Sequence, residues 1–196
     1  MSPALLRAVF FDRDGTLTRE GEWLRHPSEL ELVPGVGAAL ARLHAAGLKL
    51  VMVTNQSAVA RGLITLAELD LIHDHLRALL AQDGGVLDGI YSCPHHPTEG
   101  IAPFRRECDC RKPKPGLVLQ AARELGLDCH ASWMVGDAAR DLEAGWAAGT
   151  RGILVATGKG QTEREVLLAR GTPPDAYVAD VPAAAELILR ELAQGK

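Results

Sequence analysis

The chain has 196 residues, of which 47% are hydrophobic and 23% are charged, and its formal net charge is −4 at pH 7. This length predicts one domain with a sizeable core, and the composition excludes disordered and fibrous proteins. The slightly acidic balance disfavours nucleic acid as a partner, because sequence-tolerant binding to a polyanion needs a broad cationic surface.

Nothing in the sequence indicates export or a membrane. The N-terminal segment 1–7 lacks the long apolar run of a signal peptide. No stretch approaches the roughly 18 uninterrupted apolar residues of a membrane-spanning helix. We therefore expect a cytoplasmic protein with no membrane partner, and we expect it to be a monomer.

The first half of the chain alternates short apolar runs with helical patterns. Residues 8–11 are apolar and end at a pair of aspartates, which is typical of a buried strand, and residues 48–53 repeat the pattern. Apolar residues at helical spacing follow each of them, over 34–47 and 66–80. This half predicts two pairs of a strand and a helix.

The second half continues the alternation. It predicts, in order, a weak strand over 89–92, a helix over 115–125, a strand over 133–135, a helix over 141–148, a strand over 152–155, a short strand over 176–178 and a last helix capped at Asp180.

This alternation predicts an α/β fold with a Rossmann-like, mostly parallel sheet and helices on both faces, because parallel strands need crossover connections. In such sheets, ligands bind beyond the carboxyl ends of the strands. The polar residues that directly follow the predicted strands are therefore the candidates for the functional site: Asp12, Asp14, Thr54, Asn55, Cys93 and Asp137.

Asp12 and Asp14 are the strongest local feature. In an extended chain, residues two apart point to the same side, so both carboxylates could converge on one cation or one substrate. Gly15 would let the backbone turn past them. Such close anions need a divalent cation between them or a proton on one of them, although a solvated turn that closes a strand is the simpler alternative.

Three of the four cysteines share one segment with two histidines: Cys93, His95, His96, Cys108 and Cys110. Two closely spaced pairs of nitrogen and sulfur ligands fit a tetrahedral structural zinc site, in which His96 could replace His95. A disulfide between Cys108 and Cys110 would be strained by its short loop. The alternative to a metal site is an accidental cluster of buried thiols. Cys129 lies outside the cluster and is expected to be a buried or incidental thiol.

Four motifs occur in order over nearly the whole chain: residues 10–16 (FFDRDGT), Thr54-Asn55-Gln56, Lys112, and Gly136-Asp137 with Asp141. In this order they resemble the motifs of the haloacid dehalogenase superfamily of phosphotransferases.

The resemblance implies that Asp12 attacks phosphorus to give an aspartyl-phosphate, with Asp14 as general acid and then general base. Thr54 and Lys112 would hold the phosphoryl oxygens. Asp137 would complete a Mg²⁺ site with Asp12 and the backbone carbonyl of Asp14. Contact with the metal is expected to lower the pKa of Asp12 and keep it ionised, whereas crowding is expected to favour a proton on Asp14 near neutral pH.

Three further segments, residues 91–97, 108–113 and 157–160, resemble the D-glycero-D-manno-heptose 1,7-bisphosphate 7-phosphatase family and the histidinol-phosphate phosphatase branch that shares its zinc loop. The resemblance implies a single domain over 1–196 with a zinc loop at about 91–112 and no large cap domain. It also implies that Cys93, His95, Cys108 and Cys110 bind structural zinc.

The expected activity is Mg²⁺-dependent removal of the 7-phosphate from the heptose bisphosphate, in heptose biosynthesis. The resemblance implies that the zinc loop delivers Lys112 to the phosphate. The expected substrate contacts are Glu20, Trp23, Asn55, Gln56, Ser57 and Arg111.

Some residues depart from the family pattern. Glu20 and Glu22 are poor partners for a second phosphate, and Ala138 stands where relatives commonly have lysine. Positive charge from Arg61, Arg105 or Arg106 could compensate.

Two alternative functions remain open. One is the same chemistry on histidinol phosphate or another small phosphate ester. The other is a module without catalysis, which either accepts a phosphoryl group on Asp12 or binds a partner through the zinc loop.

Overall fold

The computed structural model describes residues 5–21 and 23–195. It confirms the α/β fold, with six parallel strands in the order β3-β2-β1-β4-β5-β6. The strands are β1 Ala8–Phe11, β2 Lys49–Asn55, β3 Gly89–Cys93, β4 Trp133–Gly136, β5 Arg151–Val155 and β6 Ala176–Val178. Residues 1–4 and Glu22, on which parts of the sequence argument rest, lie outside the described residues.

Seven α-helices connect or follow these strands: α1 Val36–Ala45, α2 Ser57–Ala60, α3 Leu66–Gln82, α4 Gly116–Leu125, α5 Ala139–Ala148, α6 Gly160–Ala169 and α7 Val181–Ala193. Asp180 caps α7 as predicted, because its carboxylate accepts a hydrogen bond from the backbone of Ala183. Helices α2 and α6 were not predicted. Only Gly160 and Leu167 are buried in α6, so its apolar pattern is too weak to indicate a helix.

Alternating residues of the central strands face two separate apolar layers. Val9, Phe11 and Met52 pack with the buried sides of α1, α3 and α7. Phe10 and Val53 face the opposite side, where they pack against α4. Both faces of the sheet are covered, as parallel sheets require. None of the described helices combines the length and the apolar character needed to cross a bilayer.

The strand order places a topological switch point between β1 and β4. The chain moves outward from β1 to β2 and β3, and then returns to β4 on the other side of β1. Helices that leave neighbouring strands in opposite directions open a crevice at the carboxyl ends of those strands. The residues that directly follow β1 and β4 are Asp12 and Asp137, and the fold therefore brings them together.

Candidate active site

Three buried carboxylates meet beyond the ends of β1 and β4. Asp12 follows β1, Asp137 follows β4, and Asp141 lies in the first turn of α5. Each offers an oxygen, and the three oxygens lie within 4.8 Å of one another. All three residues are at most 4% exposed. The sequence placed Asp141 in a motif without giving it a role at the site.

Lys112 brings a buried ammonium to these carboxylates from the loop between β3 and α4. Its Nζ lies 2.8 Å from Oδ1 of Asp12 and 2.8 Å from Oδ1 of Asp141. The same nitrogen donates to the carbonyl of Val53 at 2.8 Å. An ammonium has three hydrogens, so these three partners use its full donor capacity.

Burial raises the pKa of Asp12, and Asp141 adds to this effect, which the nearby Lys112 only partly reverses. Burial also raises the pKa of Asp137, to about 7, with further contributions from Asp141 and Asp12. Burial alone would lower the pKa of Lys112, but Asp12 and Asp141 raise it above its usual value. The ammonium is therefore charged, and it offsets only one of three neighbouring carboxylates.

The arrangement fits a divalent cation. With all three carboxylates ionised and Lys112 as the buried cation that contacts them, two negative charges are left uncompensated. One oxygen of Asp137 accepts from the backbone of Lys159 at 2.9 Å. The other, Oδ1, is buried without a hydrogen-bond partner among the described residues. Buried carboxylate oxygens without donors are the ligands that Mg²⁺ prefers.

Two glycines allow the backbone to approach Asp137 closely. A Cβ atom at Gly15 or at Gly158 would overlap the Asp137 carboxylate. Both glycines have positive φ, 81° and 56°. A side chain would not fit at either position, and residues other than glycine rarely adopt these φ angles. Both loops therefore require glycine here.

Asp14 does not turn toward this cluster. Strand β1 ends at Phe11, so the extended-chain argument does not hold for Asp12 and Asp14. The Asp14 carboxylate instead accepts two hydrogen bonds from Arg13, both at 2.9 Å, and one from Gln56 at 2.9 Å.

The expectation that crowding raises the pKa of Asp14 is wrong for this conformation. Burial does raise it, but Arg13 and then Gln56 outweigh that effect and hold the pKa of Asp14 below its usual value. Arg13 itself is only 2% exposed. The sequence analysis assigned no role to Arg13, although its position between the two aspartates could have suggested one.

The end of β2 supplies two amide side chains. Gln56 donates to Thr54 Oγ1 at 2.8 Å as well as to Asp14. Asn55 donates to the carbonyl of Lys112 and accepts from the backbone nitrogen of Lys112, both at 3.0 Å. Asn55 therefore fixes the backbone from which the Lys112 side chain extends.

An open cleft of about 500 Å³ lies over Asp14. All six residues predicted to contact substrate line it: Glu20, Trp23, Asn55, Gln56, Ser57 and Arg111. Its lining also includes Arg61, Arg140 and Lys159, of which the sequence argument proposed only Arg61 as a source of positive charge. The cations that line the cleft thus come from separate parts of the chain that sequence spacing does not connect.

Arg105 and Arg106, expected as sources of positive charge, are exposed and do not line this cleft. Ala138 is buried, and its backbone nitrogen donates to Asp141 at 3.1 Å. Glu22 lies outside the described residues. Glu20 lies 2.6 Å from Lys159, which offsets its negative charge.

The predicted cysteine and histidine cluster is formed. Ligand atoms of Cys93, His95, Cys108 and Cys110 lie within 4.8 Å of one another, and all four cysteines of the chain are free thiols. The sulfurs of Cys93 and Cys108 are 3.6 Å apart, and those of Cys93 and Cys110 are 3.2 Å apart. A tetrahedral site with metal–sulfur bonds of about 2.3 Å separates its ligands by about 3.8 Å, so the cluster fits a metal ion.

The two neighbouring histidines have different surroundings. His95 Nδ1 lies 3.3 Å from Cys110 Sγ. His96 instead accepts hydrogen bonds from the backbone of Thr98 and Glu99. Arg111, next to the cluster, donates to the carbonyl of His95 at 3.0 Å, so the metal-ligand segment also orients a cation of the cleft.

Comparisons with known proteins agree with this geometry. A HAD-hydrolase-like family model matches residues 109–184. The chain is 44% identical over 158 residues to D-glycero-beta-D-manno-heptose-1,7-bisphosphate 7-phosphatase of Pasteurella multocida, covering 80% of this chain and 85% of that protein. The protein of the same name from Escherichia coli K12 is 44% identical over 154 residues, covering 78% and 80%. The chain belongs to this phosphatase family.

Solved structures of relatives show the same fold. The D,D-heptose 1,7-bisphosphate phosphatase of B. bronchiseptica, crystallised with magnesium and phosphate, is 40% identical and superposes with a TM-score of 0.82 over 95% of this chain and 99% of that chain. The enzyme from Burkholderia thailandensis is 32% identical, with a TM-score of 0.68 over 93% and 98%. Members of this family of HAD-like phosphatases are phosphoric monoester hydrolases.

His73 of α3 generates a prediction about acid stability of this phosphatase. It is buried, and its Nε2 has no hydrogen-bond partner among the described residues. Burial lowers the pKa of His73 to about 3, and the positive charges of Arg13 and Arg77 contribute to this shift. The negative charge of Asp14 opposes it without reversing it. The unfolded chain takes up this proton near pH 6.5 and the folded chain does not, so stability falls as the pH drops below about 6.5.

As the pH is lowered from 6 to 4, we expect the free energy of unfolding to fall more steeply for the wild type than for His73→Leu. The two slopes should differ by up to about 1.4 kcal/mol per pH unit. Urea unfolding at several pH values measures both slopes. Parallel slopes for the two proteins would contradict the assignment.

Proposed function

We propose that this protein is a Mg²⁺-dependent phosphomonoesterase that removes the 7-phosphate of D-glycero-D-manno-heptose 1,7-bisphosphate. The observation that carries the proposal is the contact of buried Lys112 with Asp12 and Asp141, which form one carboxylate cluster with Asp137. Cationic side chains line the cleft at the neighbouring Asp14. The relatives' names supply the substrate, and this geometry supplies the reaction class.

Asp12 is the proposed nucleophile. One of its oxygens is fixed by Lys112, which orients the carboxylate. An anionic nucleophile is repelled by an anionic phosphate ester, so cations must offset that repulsion as the phosphorus–oxygen bond forms. Lys112 supplies such a positive charge next to Asp12, and it would exchange one of its three present acceptors for a phosphoryl oxygen. Thr54 offers a hydroxyl for the phosphoryl oxygens.

Asp12 and Asp137, with the backbone carbonyl of Asp14, would hold Mg²⁺, and Asp141 lies in the same carboxylate cluster. The bound ion supplies positive charge that neutralises the phosphoryl oxygens during transfer. In this proposal Asp14 acts as general acid and then as general base. Because Arg13 and Gln56 hold it ionised here, it must exchange these contacts for the leaving oxygen before it can deliver a proton.

The four ligands Cys93, His95, Cys108 and Cys110 would bind structural zinc. In this proposal the zinc loop, about 91–112, orders Arg111 and Lys112, and the chain forms one catalytic domain. Free thiols in a metal-ligand arrangement are typical of a reducing compartment, which supports a cytoplasmic location. We propose that the enzyme acts there as a monomer.

Substrate choice is tested by phosphate release from a panel. We expect the heptose 1,7-bisphosphate to give a kcat/KM at least about tenfold above that of histidinol phosphate, because the cleft carries more cations than a single phosphate can engage. A preference for histidinol phosphate would overturn the proposed substrate and leave the reaction class intact.

The nucleophile is tested by Asp12→Asn, which keeps the shape of the side chain and removes the attacking oxyanion. We expect phosphatase activity to fall by on the order of a thousandfold or more, with the circular dichroism spectrum retained. Asp70→Asn, an exposed change on α3, is the matched control and should keep wild-type activity. An active Asp12→Asn protein would reject the assignment of Asp12 as the nucleophile.

Zinc binding is tested by Cys108→Ser, with Cys129→Ser as the control because Cys129 is outside the cluster. We expect Cys108→Ser to lose its zinc in elemental analysis and to lose activity, since the Lys112 loop would no longer be ordered. Cys129→Ser should keep both. An unchanged zinc content in Cys108→Ser would contradict the ligand set.

A further inference from the structure

Lys159 contacts the carboxylate cluster through its backbone and also lines the cleft. It lies in the loop after β5, and its backbone nitrogen donates to Asp137 at 2.9 Å. Its ammonium lies 2.6 Å from Oε1 of Glu20. Both residues line the cleft. The ammonium of Lys159 is therefore available to a molecule that is bound at the cluster and extends outward.

Glu20 is a weak partner for this ammonium. The Lys159 side chain is 50% exposed and that of Glu20 is 32% exposed, and exposed ion pairs contribute little because water and salt screen them. A phosphate group carries more negative charge than a carboxylate and offers three acceptor oxygens. A phosphate in the cleft should therefore displace Glu20.

Arg61, another cation that lines the cleft, is less free to change partners. It pairs with Glu99, and its guanidinium also lies 4.8 Å from the centroid of the Trp23 ring. It would have to give up two contacts at once to bind a ligand, whereas Lys159 would give up one.

We propose that Lys159 is a specificity-determining residue that binds the distal phosphate of a bisphosphate. In the absence of substrate, Glu20 forms an ion pair with the Lys159 ammonium. The inference rests on the proposed function and deepens it. It also gives a role to Glu20, an acidic residue in a cleft for an anionic substrate. In this role Glu20 competes with the distal phosphate and leaves the reacting phosphate unaffected.

The test compares Lys159→Met and Glu20→Gln with wild type in the Mg²⁺-loaded enzyme. Substrates are the heptose 1,7-bisphosphate and p-nitrophenyl phosphate, which has no second phosphate. Methionine keeps the backbone donor to Asp137 and most of the apolar stem of lysine. Lys114→Met is the matched control, since Lys114 is similarly exposed and pairs with Asp109 outside the cleft.

For Lys159→Met we expect KM for the bisphosphate to rise about tenfold or more with kcat nearly unchanged, because the distal contact is the same in the ground state and the transition state. Values for p-nitrophenyl phosphate should not change. Glu20→Gln should lower KM for the bisphosphate, and Lys114→Met should match wild type.

The two proposals fail in different ways. If wild type prefers the bisphosphate and Lys159→Met keeps that preference, the role of Lys159 is overturned and the proposed function stands. An equal loss of kcat/KM on both substrates in Lys159→Met also overturns the role of Lys159, because that result indicates a disturbed position of Asp137. If wild type hydrolyses p-nitrophenyl phosphate but shows no preference for the bisphosphate, the proposed substrate fails and the distal subsite fails with it.

Discussion

The site depends on one buried ammonium that is shared by two carboxylates. Lys112 lies 2.8 Å from both Asp12 and Asp141, and all three side chains are almost fully removed from water. Several buried carboxylates in one place would repel each other and would be driven to take up protons. The ammonium limits that repulsion and leaves a net negative site for a divalent ion. The proposed nucleophile, the buried cation and the proposed metal position are thus parts of one electrostatic arrangement.

The rest of the fold serves to deliver these groups from distant parts of the chain. The switch point between β1 and β4 brings Asp12 and Asp137 together. Lys112 reaches them on a loop whose backbone is held by Asn55 at the end of β2. The cysteine and histidine cluster forms the preceding part of that loop. Order in the cluster and placement of the ammonium are therefore linked, so a metal ion bound by the cluster would affect the proposed reaction through the position of Lys112.

Much of the fold was predictable from sequence, because apolar runs that end in polar residues mark buried parallel strands. For the same reason, the positions of Asp12 and Asp137 at strand ends indicated the site. The orientation of Asp14 was not predictable, because it depends on where β1 ends and on a bidentate contact with the adjacent Arg13. The placement of Lys159 beside Glu20 depends on two loops that only the folded chain brings together.

The most direct test of the shared ammonium is the free energy of unfolding of Lys112→Met, measured in urea without Mg²⁺. Removing one partner of a buried ion pair leaves uncompensated charge, so the account predicts a loss of about 3–5 kcal/mol. It also predicts partial recovery in the double variant Lys112→Met with Asp141→Asn. A Lys112→Met protein within about 0.5 kcal/mol of wild type would contradict the account.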